Sequence, residues 1–161
     1  MILMLKHLEL KVPPVVVFIL ALVATWFVSD FGWLPLPYPL RPLGFVIFVA
    51  GGVVGIAGVV AFRKHHTTVN PHSIQNASNL VSSGIFAYTR NPMYLGLVMG
   101  VAGSAFIFRD ASGFVFALAT LLYLQRFQIQ PEERMMHTLF GEEFAAYCTR
   151  VNRWLSLSAN D

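Results

Sequence analysis

Arg90, Asn91, Pro92 and Tyr94 stand together at the edge of an apolar run, within GIFAYTRNPMYLGLVMG, Gly84–Gly100. Glu132 and Glu133 come some forty residues later, beyond another apolar run, at the head of PEERMMHTLFGEEFAAYCTRVNRW. Proline suits the first turn of a helix, because its φ is preset and its missing N–H would be unpaired there anyway. The residue before it is pushed out of the α region. The spacing therefore predicts a helix start at Pro92, with a cation and an amide beside free backbone N–H groups, a place that suits an anion. Glu132 and Glu133 offer the opposite charge. Together the two stretches form halves of one cofactor site, the second half being Pro131–Tyr147.

The elements that must hold these residues are apolar. The chain has 161 residues, 56% hydrophobic and 12% charged, with a mean hydropathy of +0.62. Soluble domains carry about 25% charge. An integral membrane protein of one compact domain, residues 1–161, is the expected class. The net charge of +3 is distributed as a membrane protein's would be and does not argue for nucleic acid. A single cysteine, Cys148, excludes an internal disulfide framework and any multi-cysteine metal site. The first apolar run is too long for the core of a cleaved signal, so it is expected to stay.

Four uncharged runs predict four transmembrane helices, over about 13–29, 43–62, 92–108 and 111–127. Between Lys11 and Asp30 lie 18 uncharged residues, opened by Pro13-Pro14. Leu43–Phe62 has 20, and the run between Arg90 and Arg109 has 18. The run between Asp110 and Arg126 has only 15, short for a crossing that takes roughly 20 residues, so it either continues past Arg126 or bends. Met1–Lys11 reads as an interfacial segment. Trp33 and Tyr38, in the proline-rich connector, fit an aromatic belt. Gly51 and Gly55 form one GxxxG pair and Gly96 and Gly100 another, which predicts close packing of the second and third helices. The same faces leave packing within or between chains open.

With four spans, nine Lys and Arg residues fall on one side and two, Arg41 and Arg109, on the other. The positive-inside rule then puts both termini in the cytoplasm, with the long connector Arg63–Thr89 and the C-terminal block. In that block, Pro131 with two acids behind it predicts a helix start, and Phe140-Gly141 a break or kink. Phe144, Tyr147 and Val151 share one helical face. His65, His66 and His72 lack an acid or cysteine at ligand spacing, so no metal is expected.

SSGIFAYTRNPMYLG, with PEERMMHTLFGEEFAAYCTRVNRW after it, resembles the isoprenylcysteine carboxyl methyltransferase family and the related phospholipid methyltransferases. The resemblance spans about Asn70–Trp154. It implies an all-α membrane bundle of about four transmembrane helices plus a cytoplasmic C-terminal helix, with cofactor-binding elements at 70–94 and 131–154. It also implies S-adenosyl-L-methionine as cofactor, bound without a Gly-rich Rossmann turn, and no GxGxxG occurs here. Carried over residue by residue, Ser78, Asn79, Leu80, Val81, Phe86, Arg90, Asn91, Pro92, Met93, Tyr94, Glu132 and Glu133 line the cofactor, and Arg90, Tyr94 and Glu132 form the catalytic set. Asn91 stands where the family has histidine, and Asn152 where it has proline. Gln128 stands where the eukaryotic enzymes have a substrate-contacting arginine, which weakens transfer of a prenylcysteine carboxylate as the substrate.

The function implied is methyl transfer to a lipophilic small molecule or an isoprenylcysteine-like carboxylate, thiol or amine in a membrane, here the bacterial inner membrane. The partners implied are that substrate and membrane lipid. Two other readings stand beside it. One is a sterol-reductase-like protein that binds NADPH through a similar C-terminal segment. The other is a non-catalytic membrane subunit with a vestigial pocket, which Asn91 would explain.

Overall fold

A computed structural model describes residues 9–64 and 80–156. Their regular structure is all helical, with no β-strand among the described residues. The first helix, α1, is Pro14–Ser29, opened by Pro14 in its first turn as the sequence predicts. Only Ala21 and Thr25 are buried on it, while Leu20, Val23, Trp26 and Phe27 are exposed. A helix apolar on its outward face has no reason to face water. After a 3-10 turn at Tyr38–Leu40 comes α2, Arg41–Lys64. The stretch Tyr38–Lys64, 27 residues, is long and apolar enough to cross a membrane. The helix α3, Pro92–Ile107, is apolar and has 16 residues, as α1 does. It begins at the proline that marks its start in sequence.

Glycines bring α2 and α3 together, along a longer seam than the two GxxxG pairs predict. A Cβ on Gly51 would lie 2.7 Å from the Gly96 carbonyl oxygen, and one on Gly96 would lie 3.0 Å from the Gly55 nitrogen. Seven residues before Gly51, Gly44 meets the Gly103 carbonyl in the same way, and seven after it Gly58 meets Pro92. Gly100 borders this seam too, its backbone nitrogen 3.2 Å from where a Gly51 Cβ would be. It lies under the Phe18 ring of α1, 2.8 Å from where its Cβ would be. Gly100 thus lies against α2, as the sequence predicts, and against α1 as well, while Gly103 extends the seam beyond it.

The turn after α3 holds Arg109 at φ 63 and then Asp110, which is 1% exposed. Asp110 accepts hydrogen bonds from the Ser112 N–H and hydroxyl and from the Leu34 N–H. Leu36 N–H donates to the Arg109 carbonyl and Ala111 N–H to the Leu34 carbonyl, so the proline-rich connector is stitched to this turn. The helix α4, Gly113–Leu124, then starts at a glycine that Thr25 and Ala105 leave no room to replace.

Beyond α4 the helix does not stop. It passes through a π-turn, Gln125–Ile129, into α5, Gln130–Arg150. Pro131 is therefore not a free helix start, contrary to the expectation from sequence. Proline inside a helix removes one i→i−4 bond and crowds the preceding turn, and the wider π-turn relieves both. The Phe127 carbonyl, deprived of a donor at Pro131, accepts the Leu10 N–H at 2.9 Å instead. Gly141 kinks α5 with φ 49, a conformation that favours glycine, and its Cβ direction is open space. A small cap core forms where α5 returns to the rest: Val81, Phe86, Phe144, Tyr147 and Val151, with Phe62 and Met136 packed against them.

Candidate functional site

The site is assembled at the end of the bundle where α3 begins and α5 leaves the π-turn. Because α3 starts at Pro92, successive side chains leave it in different directions. Pro92 and Met93 turn towards α2, where a Cβ on Gly58 would touch both. Tyr94 turns the other way. It is 5% exposed, packs with Leu124, Ile129 and Trp154, and its hydroxyl donates a short hydrogen bond to Oε1 of Glu132. The catalytic trio expected from sequence thus has two members in direct contact, 38 residues apart in the chain.

Arg90 reaches the neighbouring acid. Its guanidinium lies 3.1 Å from Glu133, the side chains keeping 13% and 17% of their area exposed. Arg153 grips the same carboxylate through two nitrogens, at 3.1 Å and 2.6 Å. Two guanidiniums therefore share one carboxylate, and the cluster keeps a net positive charge. Nε of Arg90 is buried with no hydrogen-bond partner among the described residues. A buried donor without a partner is costly and points to a ligand or solvent acceptor.

Asn91, the departure from the family pattern, has a visible task. Its amide donates to the Arg153 carbonyl at 3.0 Å, and its N–H donates to the Thr89 hydroxyl at 3.1 Å. Thr89 is 1% exposed and donates to that same Arg153 carbonyl. Arg90 N–H bonds the Asn152 carbonyl and Ser156 N–H bonds the Tyr88 carbonyl. The tail 151–156 is thereby laced across residues 88–91. An amide supplies the donor required at position 91, so the missing imidazole leaves no gap in this network.

The remaining expected residues lie around this centre. Ser78 and Asn79 fall outside the described residues, as do His65, His66 and His72. Val81 and Phe86 belong to the cap core, Phe86 at 4% exposure with its ring edge-on to Phe62 at 5.0 Å, and Leu80 packs against that core. The Phe86 carbonyl accepts the Tyr147 hydroxyl at 2.7 Å. Gln128 is turned away, donating to the Val12 carbonyl at 2.8 Å. Among the described residues no group of three or more His, Cys, Asp and Glu converges as metal ligands would. Sequence reasoning did not single out Arg153, Thr89 or Gln125, whose side-chain oxygen accepts the Trp154 N–H at 3.0 Å. Arg153 was within reach, because it stands at the close of the C-terminal motif, whose head carries two adjacent acids.

The electrostatics divide the two acids. Burial pushes the Glu132 carboxyl up to about 7, against the Tyr94 hydrogen bond that favours its ionised form, and the Glu133 charge adds to the rise. Burial likewise raises Tyr147 and Cys148 above their ordinary values, while the Glu133 hydrogen bond raises Arg153. Glu132 can thus hold or release a proton near neutrality. The Arg90–Glu133–Arg153 cluster can accept an anion. The pair offers recognition of a ligand that carries both an ammonium or hydroxyl and a carboxylate.

Comparison with known families bears on this geometry. A family model described as phospholipid methyltransferase matches residues 40–143. No curated protein matches the chain. The matched span takes in α2, α3, α4, the π-turn and the first two thirds of α5, hence Arg90, Tyr94, Glu132 and Glu133, and stops short of Arg153. The chain belongs to the phospholipid methyltransferase family, a family of membrane-associated methyltransferases.

Proposed function

We propose that this protein is an integral membrane methyltransferase that uses S-adenosyl-L-methionine and acts on a lipophilic small-molecule or isoprenylcysteine-like acceptor, a carboxylate, thiol or amine. In this reading the four apolar helices span the inner membrane of a bacterium, with both termini cytoplasmic. The observation that carries it is the meeting of Arg90 and Tyr94, at the start of α3, with Glu132 and Glu133 of α5. That meeting lies at the end of the bundle that also holds most of the basic residues. Outward faces such as Val46, Val49, Val53 and Ile56 on α2, and Val115, Leu118 and Leu122 on α4, are exposed and suited to lipid.

The donor set fits the cofactor. Glu132 is the acceptor for its ammonium or ribose hydroxyls, and Arg90, with Nε unpaired among the described residues, is the donor for its carboxylate. When bound, the cofactor supplies a methyl group on a sulfonium, whose positive charge is lost as the methyl leaves. The chain contributes alignment and exclusion of water around that exchange. Tyr94 fixes the Glu132 carboxylate from one side, and Trp154 closes the apolar packing beside Tyr94. A carboxylate or thiolate acceptor needs no general base. An amine acceptor must be neutral at the moment of attack.

The test is calorimetry on the detergent-purified protein with S-adenosylmethionine, its demethylated product, and NADPH. Binding of both sulfur compounds and not of NADPH is expected. Folded protein that binds neither sulfur compound overturns the proposal, and binding of NADPH alone selects the reductase reading.

A further inference from the structure

Residues before α1 form a strap across the π-turn. Leu10 N–H donates to the Phe127 carbonyl at 2.9 Å, and Gln128 donates to the Val12 carbonyl at 2.8 Å. Glu9 bridges two cations, Arg126 within the turn at 2.6 Å and Arg134 beyond it. The strap is held firmly enough to keep Leu10, a residue with a Cβ, at φ 59. Gln128 is 1% exposed. The strap lies wholly outside the span matched by the family, whereas the turn it grips lies inside.

The turn sets the orientation of both site acids on α5. A π-turn inserts one residue into an α-helix, and each residue of a helix is worth about 100° of rotation. Glu132 and Glu133 face Tyr94 and Arg90 only with that extra residue in place. An uninterrupted helix would carry Glu132 about 100° away from the Tyr94 hydroxyl.

We propose that Gln128 is a positioning residue: by fixing the strap to the π-turn it sets the rotation of α5 that presents Glu132 to Tyr94 and Glu133 to Arg90. The consequence for cofactor affinity rests on the function proposed above, but the consequence for the Tyr94–Glu132 hydrogen bond does not. The test uses the full chain in detergent with Gln128→Met, which keeps the length of the side chain and removes the donor. Three quantities are read: the ring-carbon NMR signal of Tyr94, assigned with Tyr94→Phe; affinity for the demethylated product of S-adenosylmethionine by calorimetry; and the thermal midpoint.

The Tyr94 signal is expected to move towards its position in Glu132→Gln, with affinity down about tenfold, the scale of a displaced binding group. A lower midpoint with the Tyr94 signal and affinity unchanged means a merely structural role and overturns the proposal. If Gln128→Met does not fold, Glu9→Gln weakens the same strap, and an unmoved Tyr94 signal there overturns the proposal as well. A moved Tyr94 signal in a protein whose unmodified form binds no sulfur compound upholds the positioning and overturns the cofactor reading instead.

Discussion

Asp110 and Glu132 are both acids enclosed at the ends of the bundle, one at each end, and they are held in opposite ways. Asp110 is surrounded by donors. Burial works against its ionised form, yet the Ser112 hydroxyl and the N–H groups of Ser112, Leu34 and Trp33 outweigh it and keep its carboxyl below the usual value. Glu132 has the Tyr94 hydroxyl and a neighbouring acid, and burial prevails. The first carboxylate is spent on closing a turn and pinning a connector. The second keeps acceptor capacity in hand. An enclosed acid identifies a ligand site only when its surroundings leave it under-satisfied, and at this protein that criterion selects Glu132 and passes over Asp110.

That contrast can be broken by substitution. The largest effect on stability is expected from Asp110→Ala, which strands several buried donors. Unfolding monitored in detergent should show a loss of about 3 kcal/mol, with cofactor affinity of the folded fraction unchanged. Glu132→Gln should do the reverse, lowering cofactor affinity about thirtyfold by calorimetry, some 2 kcal/mol, while leaving the helical circular dichroism intact. Comparable affinity losses in both variants would erase the distinction.

The pH dependence sharpens it further. A carboxyl whose folded pKa is raised binds more protons folded than unfolded, so its contribution falls as pH rises from about 4.5 towards 7. For Glu132 the loss is roughly 3 kcal/mol, and Glu132→Gln should flatten that part of the stability curve. Asp110, being lowered, should contribute at neutral pH and lose its contribution only in acid. The smallest effect is expected from Tyr94→Phe, about fivefold to tenfold in cofactor affinity, about 1 kcal/mol, because the carboxylate stays and only its orientation loosens.

Much of this architecture was legible in the sequence. Charge gaps located the helices, Pro13-Pro14 and Asn91-Pro92 marked two of their starts, and Phe140-Gly141 marked the kink. The pairing of Tyr94 with Glu132 was readable in outline, because both stand at the same edge of an apolar hairpin, one in each of the two motifs. The π-turn was not. Local sequence shows Pro131 as a start signal, whereas the carbonyl it leaves without a donor is satisfied by Leu10, far away in the chain. The full glycine seam was missed for a similar reason. Gly44, Gly51 and Gly58 recur at seven residues, but which of the many glycines face a neighbour depends on how α1 crosses Gly100. Arg153 escaped because a charge near a membrane edge reads first as an anchor, and its grip on Glu133 is a tertiary fact.

The glycine seam also sets how this chain can change. Along α2 the outward residues Val46, Val49, Val53 and Ile56 are exposed, and one apolar side chain there can stand in for another. At Gly44 and Gly51 even a methyl group would strike a backbone carbonyl of α3, which no rotamer change can move aside. A saturation scan of α2 should therefore show a sharp seven-residue beat of intolerance against a permissive background, a record in the mutational data of which face of the helix belongs to the protein and which to the lipid.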